Sequence, residues 1–432
     1  MRGSAVASMR FQQGKVVVLL FAGYGALYFC RADLSVGTPL IVDQLVRRGM
    51  SHDEAIVNLG TIASLGVLAY ALGKLFLGGL GDYWGGRISL LIGLAGATIF
   101  TVQFAAGSTI PLFMTAWFGN RLTQSVAWAG LIKVSSKWFD YSSYGMILGL
   151  LSLSYLVGDA AARESMGVMI GHGLPWRMLF YYAAAVTAVL YAANFLLLRE
   201  SRTQVGFPEA RTNPLNLFAS SEARPASLSA LLMPLLHSRA FILVCFLSFG
   251  CTIVRETFNI WTPAYLHDSL GYTAGDAARF SAVFPGVGAV SVVLTGWLSD
   301  RLGANGRALI LFMGLGATVA ALLLLMTLRA SGAAHAWLPL LTIGTIAFCL
   351  LGPYSYLGGA FALDFGGKQA SAVSSGIIDG IGYLGAVAAG DTVARISVAA
   401  GWHGVFIALA AVSALAALGA GFLLAMSTNA SK

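Results

Sequence analysis

Charge is scarce in this chain. Only 10% of its 432 residues are Asp, Glu, Lys or Arg, while 57% are hydrophobic and the mean hydropathy is +0.78. Soluble proteins carry about 25% charged residues, so the composition excludes a water-soluble globular protein and points to an integral membrane protein. Cysteine is rare too. Cys30, Cys245, Cys251 and Cys349 lie in apolar stretches without metal-ligand spacing and read as small core residues. The six histidines fall in loops or at helix ends, so no metal centre is expected. No Walker A motif is present. The stretch 66–74, GVLAYALGK, ends in Gly-Lys but has six residues between its glycines, and Leu75 replaces the Ser or Thr. That excludes ATP-driven work by this chain alone. No nucleophile–base arrangement stands out, so neither enzymatic activity nor a cofactor is expected.

Apolar runs are what the chain has. About 20 apolar residues cross a bilayer as a helix. Twelve runs qualify: 15–42, 55–80, 88–107, 111–133, 144–170, 176–198, 240–266, 279–299, 307–328, 336–362, 370–396 and 402–426. The first is too long for a signal peptide, follows Met1–Gly14 without a small-residue cleavage site, and reads as a spanning helix. Residues 199–239 are polar and arginine-rich and contain Pro208, Pro214 and Pro225. They divide the chain into a six-helix half over 1–198, a cytoplasmic linker and a second half over 240–432. The net charge of +8 reflects basic loops on one side of a membrane rather than nucleic-acid binding. Arg2, Arg10, Lys15, Arg87, Lys137, the linker arginines, Arg301, Arg307 and Lys368 fall on one side, which makes both termini cytoplasmic.

The halves echo each other, as duplicated carriers do. GGLGDYWGGR follows the second run and GWLSDRLGANGR the eighth, placing Asp82 and Asp300 218 residues apart. Arg31 and Arg255 are 224 apart, in the first and seventh runs. GDAAAR at 158–163 matches GDTVAR at 390–395. The fold expected is all-α, with 12 transmembrane helices in two pseudo-symmetric six-helix bundles.

An ionisable residue inside a spanning helix costs roughly 2.5–3.5 kcal/mol to insert and is a functional candidate by default. Arg31 lies 16 residues beyond the start of its run, with Tyr24, Tyr28 and Ser35 on its face. Arg255 has Asn259 one turn on. The two arginines are expected to face each other across a central cavity and hold an anionic solute, because a guanidinium gives permanent, bidentate recognition of oxyanions. Asp33 and Glu256 stand near them in sequence, but adjacent helix positions diverge by about 100°. Neither acid is expected to neutralise its own arginine. Lys74 fits either a cavity or a structural role, and Lys133 reads as a membrane-side anchor. Asp159 and Arg163 form an i,i+4 pair, repeated by Asp391 and Arg395. Asp159 and Asp379 are candidates for coupling to substrate or protons, and Asp82, Asp300 and Arg301 for gating.

The motif around Asp82 and Asp300 resembles the signature of the major facilitator superfamily. The first copy has Tyr83 where the family has Arg; the second keeps Arg301. GYGALYFCR resembles the G-Y-x-x-Y-Y-x-x-R of its organophosphate:phosphate antiporters, and YALGKLFLGGLGD their Y-x-x-S-K-F-x-x-G-x-x-S-D. WAGLIKVSSKWF resembles W-P-P-C-G-K-x-x-x-K-W-F, and VRETFNIWTPAYL their seventh-helix arginine segment. LGPYSYLGGAFALDF and IGYLGAVAAG resemble the G-P and G-Y-L-G-G segments of helices 10 and 11. The resemblance implies the major facilitator fold, a rocker-switch transporter, and a phosphate held by Arg31 and Arg255 with Tyr24, Tyr28, Lys74, Asn259 and Tyr155 nearby. It also implies exchange for inorganic phosphate, a multi-pass place in a bacterial inner membrane, the lipid bilayer as surroundings, and function as a monomer. Ala32 and Asp33 depart from the family's Arg-Lys, and Glu256 and Asp379 add acid. These departures point to a solute with its own positive or hydroxyl-rich group, or to proton coupling. A carrier of another oxyanion and a transporter-like membrane sensor are the competing readings.

Overall fold

The computed structural model describes residues 2–77, 84–210, 233, 235–302, 306–328 and 337–430, and among them the backbone is helix joined by short turns. The helices are α1 (Arg2–Arg47), α2 (His52–Leu77), α3 (Gly86–Ala106), α4 (Ile110–Gln124), α5 (Ala127–Trp138), α6 (Tyr141–Ser152), α7 (Ser154–Gly171), α8 (Trp176–Leu197), α9 (Arg239–Asp268), α10 (Ala274–Phe280), α11 (Val283–Leu302), α12 (Gly306–Thr327), α13 (Trp337–Tyr354), α14 (Ala362–Ala386) and α15 (Asp391–Ala430).

These account for the twelve runs with informative breaks. Nine helical stretches among the described residues are long and apolar enough to cross a bilayer. The fourth run splits into α4 and α5, and the fifth into α6 and α7. The eleventh is interrupted by a 3-10 turn at Val387–Ala389. Gly401, at φ 66, separates the stretch that follows from the twelfth run, as the sequence boundaries at 396 and 402 anticipate. Most of the 199–239 linker lies outside the described residues.

By compactness the chain forms two units. The first comprises Met1–Leu34, Ala69–Ala162 and Leu174–Asn216; the second comprises Ser35–Leu68, Arg163–Gly173 and Leu217–Lys432. In the first unit, a Cβ on Gly158 would lie 2.4 Å from the Gly25 carbonyl, so only glycine lets α7 approach α1 this closely. Phe104 stacks on Phe113 and Phe180, with centroids 4.6 and 4.7 Å apart, and Trp176 closes the cluster edge-on. Apolar side chains pointing outward, such as Phe76 and Val189, suit lipid rather than water.

One end of the first unit is fixed by an acid beyond the last span. The Glu200 carboxylate accepts the Gly86 and Arg87 backbone N–H groups at 3.0 and 2.7 Å and the Lys137 ammonium at 2.6 Å. It is a side-chain cap for the N-terminus of α3, where the helix dipole favours an anion. With Trp84, Arg87, Lys133 and Gln204 it lines a cavity of about 420 Å³, where Lys133 stands with Arg87 and Lys137. Burial raises the Glu200 pKa, but Lys137 and the two N–H groups outweigh it and hold the carboxyl below its ordinary value. A depressed carboxyl contributes stability above its unfolded pKa of about 4.3 and loses it as pH falls through the folded value. Glu200→Gln is therefore expected to cost about 1–2 kcal/mol at pH 7. Thermal melts of both proteins in detergent should show that gap at pH 7 and see it narrow only below about pH 4.

Candidate functional site

Each unit carries a buried charged cluster. In the first unit α1 leaves helical geometry at Cys30 (φ −80, ψ 18), one residue before Arg31. At the break the Thr187 hydroxyl of α8 lies 3.2 Å from Cys30 Sγ and 3.1 Å from the Ala26 carbonyl. Arg31 is fixed on both edges of its fork. Nε donates to Gln124 Oε1 at 2.6 Å and Nη1 to the Tyr28 hydroxyl at 3.0 Å. Gln124 in turn donates to Asn120 Oδ1 at 2.6 Å, and Asn120 to the Thr101 hydroxyl at 2.8 Å. That chain ties α1 through α4 to α3.

The Tyr70 ring of α2 is the centre of the cluster. Arg31 Cζ lies 4.6 Å from its centroid, Arg121 Cζ 5.1 Å and Lys74 Nζ 5.4 Å. These are cation–π distances. Two positive charges about 10 Å apart repel by about 2 kcal/mol at an effective dielectric of ~20, so three around one ring favour a counter-charge. Asp33, fully buried on α1, feels the Arg121 guanidinium and accepts the Leu34 N–H at 2.8 Å. Aromatic side chains wall the cluster. Tyr28 packs on Tyr155 at 5.4 Å and on Tyr24 at 5.9 Å, and Tyr24 on Trp128 at 5.0 Å.

In the second unit Arg255 Nη2 donates to Glu256 Oε1 at 2.7 Å, and Asn259 Nδ2 reaches the same oxygen at 3.3 Å. The Arg255 guanidinium lies 4.6 Å from the Tyr354 ring and 5.5 Å from that of Tyr383. Beyond Tyr354 the backbone passes through a π-helical turn at Leu357–Phe361. Gly358 in that turn admits Asp379, whose Oδ1 would be 2.4 Å from a Cβ there, and Ser375 donates to the Gly358 carbonyl at 2.6 Å. Such turns inside helices recur at functional sites.

The same unit contains a second polar layer. Pro263 has no N–H, so the Asn259 carbonyl loses its helical donor. Arg163 Nη2 fills the place at 2.7 Å, and Ser35 Oγ lies 2.8 Å from the same carbonyl and 2.6 Å from that of Ile260. Arg163 Nη1 donates to the Ser281 hydroxyl at 3.1 Å. Thr61 donates to Asp391 Oδ1 at 2.8 Å, and Ser64 joins the Val387 carbonyl to the Asp391 N–H. Residues from both sequence halves meet in this layer.

The Major Facilitator Superfamily profile matches residues 19–390. The chain belongs to the major facilitator superfamily. Its fold is the superfamily's, with two six-helix bundles; the D-xylose–proton symporter structure superposes with a TM-score of 0.73 at 13% identity, over 94% of this chain and 96% of that one. A probable hexose phosphate transport protein of Chlamydia trachomatis is 26% identical over 94% of this chain and 90% of its own length. The glycerol-3-phosphate transporter of Bacillus subtilis is 24% identical, covering 91% and 88%. The membrane sensor protein UhpC of Escherichia coli is 23% identical, covering 95% and 92%. These relatives are those of the organophosphate:phosphate antiporter family that the motifs resemble.

Of the residues the sequence singles out, the structure gathers Arg31, Lys74, Tyr24, Tyr28 and Tyr155 in the first unit. In the second, Arg255 and Asn259 meet at Glu256 Oε1, and Asp379 lies against Gly358. Asp159 is buried on α7, and Arg163 lies in the polar layer. Arg395 grips Asp391 as the i,i+4 spacing anticipates, at 2.8 and 3.2 Å. Arg301 stacks on Trp297 at 3.9 Å. Asp82 lies outside the described residues, as does the side chain of Asp300. One expectation is corrected: Glu256 does pair with Arg255. Both side chains are long enough to curl across the 100° between neighbouring positions, and burial of both favours the pairing. Arg121 was missed. It stands inside the fourth apolar run, and the rule that singles out Arg31 applies to it equally.

Proposed function

We propose that this chain is a secondary active transporter that moves an organophosphate or related organic anion by alternating access, in exchange for inorganic phosphate. The observation that carries the reading is the convergence of Arg31 and Lys74 on Tyr70, within apolar helices and beside a wall of tyrosines. Cations are buried this way where an anion must be met. The names of the relatives, transporters of hexose phosphate and glycerol-3-phosphate, support the substrate class. In this reading Arg31, Lys74, Tyr24, Tyr28 and Tyr155 bind the phosphoryl end. Arg255 and Asn259 contribute from the second half of the chain. Asp159 and Asp379 serve coupling, and Asp82, Asp300, Arg301 and Arg163 serve gating. The protein works as a monomer without catalytic chemistry, with halves at 1–198 and 240–432. It lies in a bacterial inner membrane with both termini cytoplasmic.

Proteoliposomes loaded with phosphate test this. Radiolabelled phosphate should enter by exchange, and one class among organophosphates, phosphonates and carboxylates should block it. A folded protein that exchanges no phosphate would overturn the antiport reading in favour of a proton-coupled anion carrier. The similarity to a membrane sensor protein keeps a signalling role as the second reading. A protein that binds an organophosphate yet moves none would favour it.

A further inference from the structure

We infer that Arg121 is a third substrate-binding cation, and that the Arg31–Lys74–Arg121 cluster selects a doubly charged phosphoryl or phosphonyl group over a singly charged one. This deepens the function proposed above and rests on it.

The three cations come from three different helices, α1, α2 and α4, yet all lie within 5.4 Å of one ring centroid. Arg121 follows Asn120 and precedes Gln124 by three positions, so the hydrogen-bonded chain that fixes Arg31 also fixes the helix face bearing Arg121. Asp33 enters the cluster from α1. The three cations around one ring concentrate positive charge at a single place. A phosphate monoester or phosphonate dianion brings two negative charges to that place, and a diester or carboxylate brings one. The geometry suits the same chemistry. Two guanidinium forks bind oxygens bidentately and an ammonium adds a point charge, which together can serve three terminal phosphoryl oxygens. A diester has only two such oxygens.

The bland alternative is that Arg121 merely neutralises buried Asp33. The two roles separate experimentally. Phosphate exchange in proteoliposomes is measured with methyl phosphate and dimethyl phosphate as competitors; the second is a monoanion at every working pH. The parent should prefer methyl phosphate strongly. Arg121→Gln leaves Asp33 buried without its nearby cation and risks misfolding, so the Asp33→Asn/Arg121→Gln double variant is the main arm. It removes the pair together.

If Arg121 reads the dianion, the double variant exchanges phosphate more weakly than the parent, and its preference for methyl over dimethyl phosphate drops by about tenfold or more. A parental ratio in the double variant, or an equal loss of affinity for both competitors, overturns the inference. Where the double variant does not fold, Arg121→Lys carries the test. It keeps the charge beside Asp33 but loses the fork, and the ratio should fall severalfold; an unchanged ratio overturns the inference. Failure of the parent to exchange phosphate at all strikes the proposed function instead, so the two failures are distinct.

Discussion

Arg31→Gln lowers phosphate exchange by about 100-fold or more, and Arg31→Lys falls most of the way with it. Removing one partner of a buried, hydrogen-bonded charge pair costs 2–5 kcal/mol, and about 2.7 kcal/mol is a factor of 100. Arg31 is placed to make such a pair with a phosphoryl group. Its Nε and Nη1 are committed to Gln124 and Tyr28, which lock the plane and aim of the guanidinium before any solute arrives. That pre-organisation reduces the ordering cost of binding. A lysine at the same place retains the charge but not the plane, and cannot satisfy Gln124 and Tyr28 while meeting an oxyanion. The measurement is kcat/KM for labelled phosphate exchange, with thermal melts to confirm folding. A loss under tenfold in folded Arg31→Gln would remove the phosphoryl group from this cluster. It would also leave the buried convergence on Tyr70 without a functional account.

The arginine clusters were legible because bilayer helices leave so few charged residues to consider. Arg31 and Arg255 stand out against a background of Leu, Ala and Gly, and Tyr24 and Tyr28 follow from helical spacing. The Asp391–Arg395 pair also follows from spacing alone. Three features did not, each for a physical reason. At the bend Cys30 Sγ lies 3.2 Å from the Thr187 hydroxyl of α8, a partner 157 residues away that no local pattern announces. The Glu256–Arg255 pair depends on side-chain reach under burial rather than on helical angle. The breaks within the fourth and fifth spans fall at Ser125 and Leu153, inside stretches apolar enough to read as continuous. At Ser125 the hydroxyl turns back onto the Leu122 carbonyl at 2.6 Å, and the side chain packs against Gly73. That is tertiary fit, and apolar periodicity does not carry it.

Arg163→Ala opens the polar layer of the second unit and slows transport. Alternating access requires a set of contacts stable enough to close one face and weak enough to break in each cycle. The Arg163 layer meets both conditions. Its hydrogen bonds to the Asn259 carbonyl and Ser281 hydroxyl are charge-assisted, and such bonds contribute about 1.5–3 kcal/mol each. The Asn259 carbonyl has been freed by Pro263, and the Ser35 hydroxyl beside it also has the Ile260 carbonyl at 2.6 Å, so Arg163 is its charged donor among the described residues. The neighbouring contacts are softer. Glu164 and Arg279 pair at 2.8 Å but are 49% and 43% exposed, and a pair so wet contributes little. Gly390 passes so close to Gly60 that a Cβ would lie 2.4 Å from the Gly60 carbonyl, which is packing without charge. Among the described residues, the charge-assisted hydrogen bonds that reach the Asn259 carbonyl and Ser281 run through Arg163. Its loss shifts the balance between closed and open by roughly 3 kcal/mol, or about 150-fold. A cysteine placed at Ala278, fully buried in the layer, reports the shift through its reaction with a water-soluble maleimide. The rate should rise about tenfold or more in Arg163→Ala, with Arg163→Lys between. Exchange should slow in parallel, because a face that no longer closes cannot complete the cycle. Equal labelling in the parent and Arg163→Ala would mean that Arg163 holds the fold and not the gate.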